Sequence, residues 1–457
     1  VVAADGSGDF PGIGEAFASG ATSVFVRSGS YVVSSDVDLP AGGLLEGEAE
    51  GGVRITLTGG ATIRADGSGR RITAGTVTYA NGSDAVVGVG TSFTTLQVGD
   101  WISLGGIYHE IVEITDNLNL RIHHDFRGRG ATGAAFVGQS MLDRVYVRSV
   151  TLVSPSDTAL LFLQALHGRV EDVTVTAGTI APGTPSILIE KSGAVSIDNV
   201  RVEDGTGCGL HFVDSSAVTI SGSVVEAQGG IGIRVRGASQ IINITACQIL
   251  QCDGTGITVE DTSEDIRVSS STIAQGAGIG ATTAATSFRV QFAGCCFCAN
   301  ASHGVQIAGV NASVDGCHSK LNGGAGLNIV AGSVLATVVG NHFGFNSVWG
   351  LRAPAGGGEH TITGNIVGNN GSGGIELASN SNMIGNNAVR QNGGVGVLVS
   401  GDENVLNANR VRANVSNGIE ITATASQTIV GLNNTRGNTG INLLDNGIAT
   451  TLSANKS

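Results

Sequence analysis

A triplet of apolar, variable and apolar positions returns through the second half of the chain, each time just after a glycine. It appears as Leu210-His211-Phe212, Ile233-Arg234-Val235, Ile257-Thr258-Val259, Leu327-Asn328-Ile329, Ile375-Glu376-Leu377, Ile419-Glu420-Ile421 and Ile441-Asn442-Leu443. Period-two alternation predicts a short strand whose middle side chain points outward. The glycines themselves, Gly209, Gly232, Gly256, Gly280, Gly304, Gly326, Gly350, Gly374, Gly396, Gly418 and Gly440, lie 22 to 24 residues apart. That period is too short for a strand, a crossover helix and two loops in every unit. Each repeat is therefore predicted to be one coil of a parallel β-helix.

Two polar registers run beside the glycines. Asn322, Asn346, Asn370, Asn392, Asn414 and Asn438 recur at the same period, which predicts an amide ladder at one corner, bonding coil to coil and tolerating left-handed dihedrals. Cys247, Thr272, Cys296, Cys317, Asn341, Asn365, Asn387 and Asn409 form another register, expected at a further strand or corner of the same coil.

Composition agrees with a strand-and-corner fold. Glycine makes up 72 of 457 residues, proline only 6, and charged residues 13%. A net charge of −13 argues against a nucleic-acid partner, since binding phosphates needs clustered Lys and Arg and no such cluster is expected. No apolar run approaches the roughly 20 residues of a membrane-spanning helix, so no membrane insertion is expected. The chain opens Val1-Val2 without a signal-like segment, which suggests a processed form or a fragment. The far end, from Ala449 to Ser457, carries no apolar helix to cap a last coil, so a partner chain or a further domain is expected there. The seven cysteines include Cys295-Cys296-Phe297-Cys298, which lacks the spacing of a zinc site. A buried thiol stack is expected, with no metal and no cofactor.

The first residues look like the entrance of the coil. Phe10 to Ala18 can form a short helix with Ile13, Ala16 and Phe17 on one side, plugging the apolar end of the first coil. Asp5-Gly6-Ser7-Gly8-Asp9-Phe10, then Ile13-Gly14-Glu15-Ala16, then the block from Val24 to Tyr31, resemble the opening of pectate-lyase-like β-helix proteins. That superfamily includes pectinesterases, polysaccharide lyases, sugar epimerases and bacteriophage tailspikes. The resemblance implies right-handed coils, in line with the general rule for parallel crossovers. It transfers no catalytic residue, because the paired aspartates of pectinesterases have no matching motif in this chain.

Residues 75–138 break the period. Five short strands separated by Asn81-Gly82, Gly99-Asp100 and Gly105-Gly106 predict a small antiparallel barrel or sandwich inserted between coils. The expected organisation is an all-β right-handed parallel β-helix: 1–74 as cap and first coils, 75–138 as insert, 139–457 as the main helix. The insert is rich in aromatic and imidazole groups, and Trp101 and Tyr108 are candidates for stacking on sugars.

Chemistry in such a fold sits on outward columns. One column reads His211, Arg234, Thr258, Thr282, Gln306, Asn328, Arg352, Glu376, Leu398, Glu420, Asn442; a second contains Glu190, Val213, Arg236 and Glu260. They overlap in a charged patch of Glu190, His211, Arg234, Arg236, Glu260 and Asp261. Lyase chemistry on a uronic acid needs a base and a cation beside the enolate; His211 or Arg234 is the candidate base and Arg236 the stabiliser, with Glu260 beside them. Glu190, Asp261, Arg352 and Glu376 are candidate sugar contacts, with Glu359 and His360 near the last two. The repeats Gly229-Gly230-Ile231-Gly232 and Gly323-Gly324-Ala325-Gly326 lack the aspartate of a calcium roll. Cross-coil ion pairs explain the same charges equally well.

The expected function is a phage-like spike that binds, and in its enzymatic form depolymerises, a bacterial surface polysaccharide. By analogy it would be a homotrimer, joined to other particle components, at an extracellular or virion surface. A secreted polysaccharide lyase or epimerase and a noncatalytic structural particle component are the alternatives.

Overall fold

The computed structural model describes residues 1–457 except 50, 128, 129, 179, 180, 182 and 457. The chain is an all-β parallel solenoid whose coils contribute one strand each to three long sheets, A, B and C. Contacts divide it into two units, one of Val1–Thr176, Ile187–Val200 and Phe212–Thr219, the other of Ala177–Ser186, Arg201–His211 and Ile220–Ser457.

In the first unit, helix α1 (Ile13–Ala18) buries Ile13, Ala16 and Phe17. The first coil supplies Ser23–Val26 to sheet A, Gly29–Val33 to sheet B and Val37–Asp38 to sheet C. After the next sheet C strand, Ile63–Asp66, the chain leaves the coil and returns at Tyr146–Arg148, which pairs in parallel with Leu44–Gly47. Thr151 then lies opposite Arg54 and Leu160 opposite Ile63, so the excursion leaves the ladder in register.

The excursion is a small antiparallel domain. Among the described residues its sheet has eight strands rather than five, running from Arg71–Ile72 to Val137–Gln139. The extra strands are short or irregular, such as Ala131–Ala134, where the pairing shifts register, and they carry little alternation to read. Phe93, Ile102, Leu104 and Ile111 are fully buried at its centre.

In the second unit the recurrent glycines are explained by contact, not by dihedral freedom. Each lies at or shortly before the start of a sheet C strand, and a Cβ at Gly256 would stand 2.6 Å from the carbonyl oxygen of Gly280 in the following coil. At Gly326 the obstacles are the Gly350 carbonyl oxygen at 2.7 Å and Asn346 Nδ2 at 2.8 Å. The last coil departs from the pattern: Glu420 lies opposite Leu444, not Asn442, because Asn442 turns back to accept from Asn438.

Three polar ladders hold the corners. Asn300, Asn322, Asn346, Asn370, Asn392, Asn414 and Asn438 form one, each Oδ1 accepting from the backbone N–H and side-chain amide of the preceding member. The second runs Cys317, Asn341, Asn365, Asn387, Asn409, Asn433 and Asn455. Its earlier members are Cys247, Ser271 and Cys295, one position before the expected Thr272 and Cys296. The ladder occupies the buried corner, whereas Thr272 and Cys296 start the strands that follow it. Cys296 and Cys298 form a disulfide, and the other five cysteines are buried thiols. The left-handed residue is not the ladder asparagine but the one before it: Leu321, Phe345 and Asn369 have φ of 60°, 57° and 57°. Side chains other than glycine cost about 1 kcal/mol or more there, which the following asparagine offsets by bonding the turn.

His360 belongs to the third ladder, with Asn382 and Asn404. Its backbone N–H donates to Asn382 Oδ1, and its Nδ1 accepts from the N–H of Ala336. The ring is 1% exposed, and burial holds its pKa at about 4, below the ordinary 6.5. Unfolding exposes a stronger base, so this contribution is complete above pH 6.5 and falls as the pH drops towards 4. His360→Asn places the ladder's own residue at this position and is expected to remove on the order of 3 kcal/mol of that acid sensitivity. Thermal melts of both proteins between pH 7 and 4 check it; parallel losses would contradict the assignment.

Candidate functional site

In the first unit, an open groove of about 340 Å³ lies on sheet A, lined by residues including Tyr146, Arg148, His167, Arg169 and Glu171. Successive coils supply its floor: Tyr146 is opposite Arg169, and Arg169 opposite Ser196. The charges are paired across or along the strands. Arg148 reaches Glu46 at 2.8 Å and Arg169 reaches Glu171 at 2.8 Å.

The imidazole of His167 is positioned by the coil. Asp143 lies opposite Leu166, so the next residue, His167, turns at φ 51° and sets Nδ1 2.8 Å from Asp143 Oδ1. A carboxylate at Nδ1 fixes the ring and leaves Nε2 for hydrogen bonding or proton transfer. Trp101 of the inserted domain meets the ring edge-on, with centroids 6.0 Å apart. The groove carries an imidazole, the Tyr146 ring and paired charges, with Trp101 packed on the imidazole; such a lining suits a sugar, which offers C–H faces and hydroxyls together.

Tyr108 is placed differently from Trp101. Its hydroxyl accepts from Gln139 Nε2 at 3.2 Å, Gln139 Nε2 also donates to the Lys191 carbonyl at 2.9 Å, and the Tyr108 ring occupies the space a side chain would need at Gly193. Burial pushes the phenol up to about 12. Tyr108 anchors the insert to a coil of its own unit. Glu190, also in this unit, pairs with Lys191 at 2.5 Å.

In the second unit, the structure brings Arg234 and Glu260 together: Arg234 Nε and a terminal nitrogen donate to Glu260 Oε2 at 3.0 and 2.7 Å. With both nitrogens turned onto that carboxylate, Arg234 serves as an ion-pair partner and not as the free base that lyase chemistry needs. His211 is 7% exposed and its Nε2 has no hydrogen-bond partner among the described residues. Burial, aided by Arg234 and Arg236, lowers its pKa to about 4, leaving a neutral ring that little surface reaches. The Nε of Arg236 is also buried without a hydrogen-bond partner among the described residues. Asp261 is a turn residue at φ 55° that accepts from the Gly237 N–H at 2.9 Å. Arg352 and Glu376, opposite each other on sheet C, form an ion pair; His360 does not join them, being in the third ladder. Among the described residues, no group of three or more His, Cys, Asp and Glu is placed to hold a metal ion.

The sheet A groove went unread in the sequence because its parts are dispersed. Tyr146-Val147-Arg148 and Arg169-Val170-Glu171 share the alternating pattern, but Asp143, His167 and Trp101 meet only once the coils close.

Residues 185–343 and 344–457 match the family described as the right handed beta helix region. With more than half of its length matched, the chain belongs to the right-handed β-helix family. No curated protein matches it. Among solved structures it is similar to the Gp54 tailspike of Acinetobacter baumannii bacteriophage AP22, in complex with A. baumannii capsular saccharide. The identity is 11%, the coverage 91% of this chain and 73% of that one, and the TM-score 0.54. The tailspike gp49 from Pseudomonas phage LKA1 is 14% identical, with coverage of 93% and 75% and a TM-score of 0.48. The A-module of the Azotobacter vinelandii mannuronan C-5 epimerase AlgE4 is 14% identical, with coverage of 96% and 93% and a TM-score of 0.45. Identities this low speak to fold alone.

Proposed function

We propose that the protein binds a bacterial surface polysaccharide through the sheet A groove of its first unit. The observation that carries this reading is the edge-on pair of Trp101 and the Asp143-held His167 beside an open groove of about 340 Å³. The likeness in fold to a tailspike seen with a capsular saccharide supports the same substrate class. The spike reading carries with it a homotrimer at an extracellular or particle surface, which sedimentation would detect. Binding is favoured over cleavage, because Glu171, held by Arg169, is the one carboxylate among the described residues that line the groove, whereas hydrolysis needs two. A lyase or epimerase reading rests on His167 Nε2 as the proton acceptor.

The test is incubation with a panel of bacterial capsular and exopolysaccharides, following retention and chain length together. Retention at unchanged length is the expected result. Shortened chains with unsaturated, ultraviolet-absorbing ends would move the assignment to a lyase, and no retention of any member would overturn it.

A further inference from the structure

In the second unit, the outward face of sheet B gathers cations that the sequence scatters. Its two columns read Lys320, Gly344, Gly368, Arg390, Arg412, Arg436 and His318, His342, Ile366, Ala388, Arg410, Asn434; Lys456 follows opposite Asn434. This corrects the expectation that the chain has no Lys and Arg cluster: residues about 22 apart in sequence become neighbours about 4.8 Å apart in adjacent coils.

The cations are unneutralised. From Gln248–Leu250 to Asn434–Arg436, no strand of sheet B carries an aspartate or glutamate. Among the described residues, Arg390, Arg410, Arg412 and Arg436 form no ion pair; Arg54, Arg236 and Arg267 also form none but are not stacked on one another, whereas Arg64, Arg121, Arg169, Arg201, Arg234, Arg289 and Arg352 are paired. Like charges stacked directly opposite each other are destabilising. In a chain of net charge −13, composition does not impose such a stack.

A hollow of about 180 Å³ lies among Arg390, Arg410 and Arg412, floored by Ile366 and Ala388. Ile366 is 41% exposed. Guanidinium forks around an aliphatic floor match a carboxylate carried on a ring with an apolar face. The strip continues through Arg436 in the next coil, so it fits a polymer with recurring carboxylates better than a single small anion. Nucleic acid fits less well, because among the described residues no aromatic side chain lines the hollow for base stacking.

We propose that this strip binds an acidic, uronate-type polysaccharide. It does not rest on the sheet A groove, and the two fail separately: failure there appears as no retention of surface polysaccharides, failure here as acidic-glycan binding indifferent to the strip.

The experiment measures binding of alginate, neutral dextran and single-stranded DNA to the full chain by affinity electrophoresis at low and raised salt. It is repeated with Arg390→Gln/Arg412→Gln and with the control Arg54→Gln/Arg267→Gln, which removes the same charge elsewhere. The expected result is alginate binding that weakens with salt, falls at least tenfold in the strip variant and is unchanged in the control. Equal losses in both variants, or DNA bound while alginate is not, would overturn the proposal. Circular dichroism of the variants keeps a folding defect from counting as support, and Arg390→Lys/Arg412→Lys, which retains charge but not the fork, is expected to bind at an intermediate level.

Discussion

Asn365→Ala is expected to destabilise the second unit by about 3 to 6 kcal/mol, because it orphans buried groups in the preceding coil. Asn365 Oδ1 accepts from both the backbone N–H and Nδ2 of Asn341 at 2.9 Å, and its own Nδ2 donates to the Val338 carbonyl at 3.0 Å. Alanine fills none of these roles, and the residue is fully buried, so water does not replace it. Stability in a solenoid is passed between neighbouring repeats. The loss should therefore appear as faster amide exchange at Asn341 and in the strands on either side, together with a lower melting temperature. Unchanged exchange at Asn341 would show that the ladder is ornamental.

The second large effect is expected from a single added methyl group. Gly326→Ala sets a Cβ 2.7 Å from the Gly350 carbonyl oxygen and 3.0 Å from Phe343 Cδ1. Neither can retreat easily, since one is backbone in a paired strand and the other lies in a fully buried ring. Overpacking of this kind costs about 1 to 3 kcal/mol, against the few tenths to 1 kcal/mol that Gly to Ala gains where space allows. The sign distinguishes packing from flexibility as the reason for the glycine. A melt that falls supports packing; one that rises contradicts it.

The period of the glycines was legible in the sequence because each coil reuses one contact, and periodic contact leaves periodic residues. The inward columns were legible for the same reason. The cap helix followed from Ile13, Ala16 and Phe17, and all three are buried. Less of the corners was readable: the ladder members Ser271 and Cys295 sit next to equally polar Thr272 and Cys296, and a one-residue shift leaves the period intact. Candidate sites were harder still. The sequence predicts which residues face outward but not which pair, so Arg234 and Glu260 looked like chemistry and meet as an ion pair. Conversely, Asp143 and His167 are 24 residues apart and looked unrelated, yet they touch. The basic strip is invisible along the chain, because a solenoid assembles such a cluster across its coils from residues 22 to 24 apart.

The most direct test of the polysaccharide-binding account is a hydrogen-exchange footprint of the protein with the polysaccharide it retains. The account predicts slowed exchange confined to the sheet A coils carrying Tyr146, His167 and Arg169 and to the insert strand of Trp101, and loss of that footprint in His167→Ala. Slowing that leaves those segments untouched while a glycan is firmly held would contradict the placement of the site.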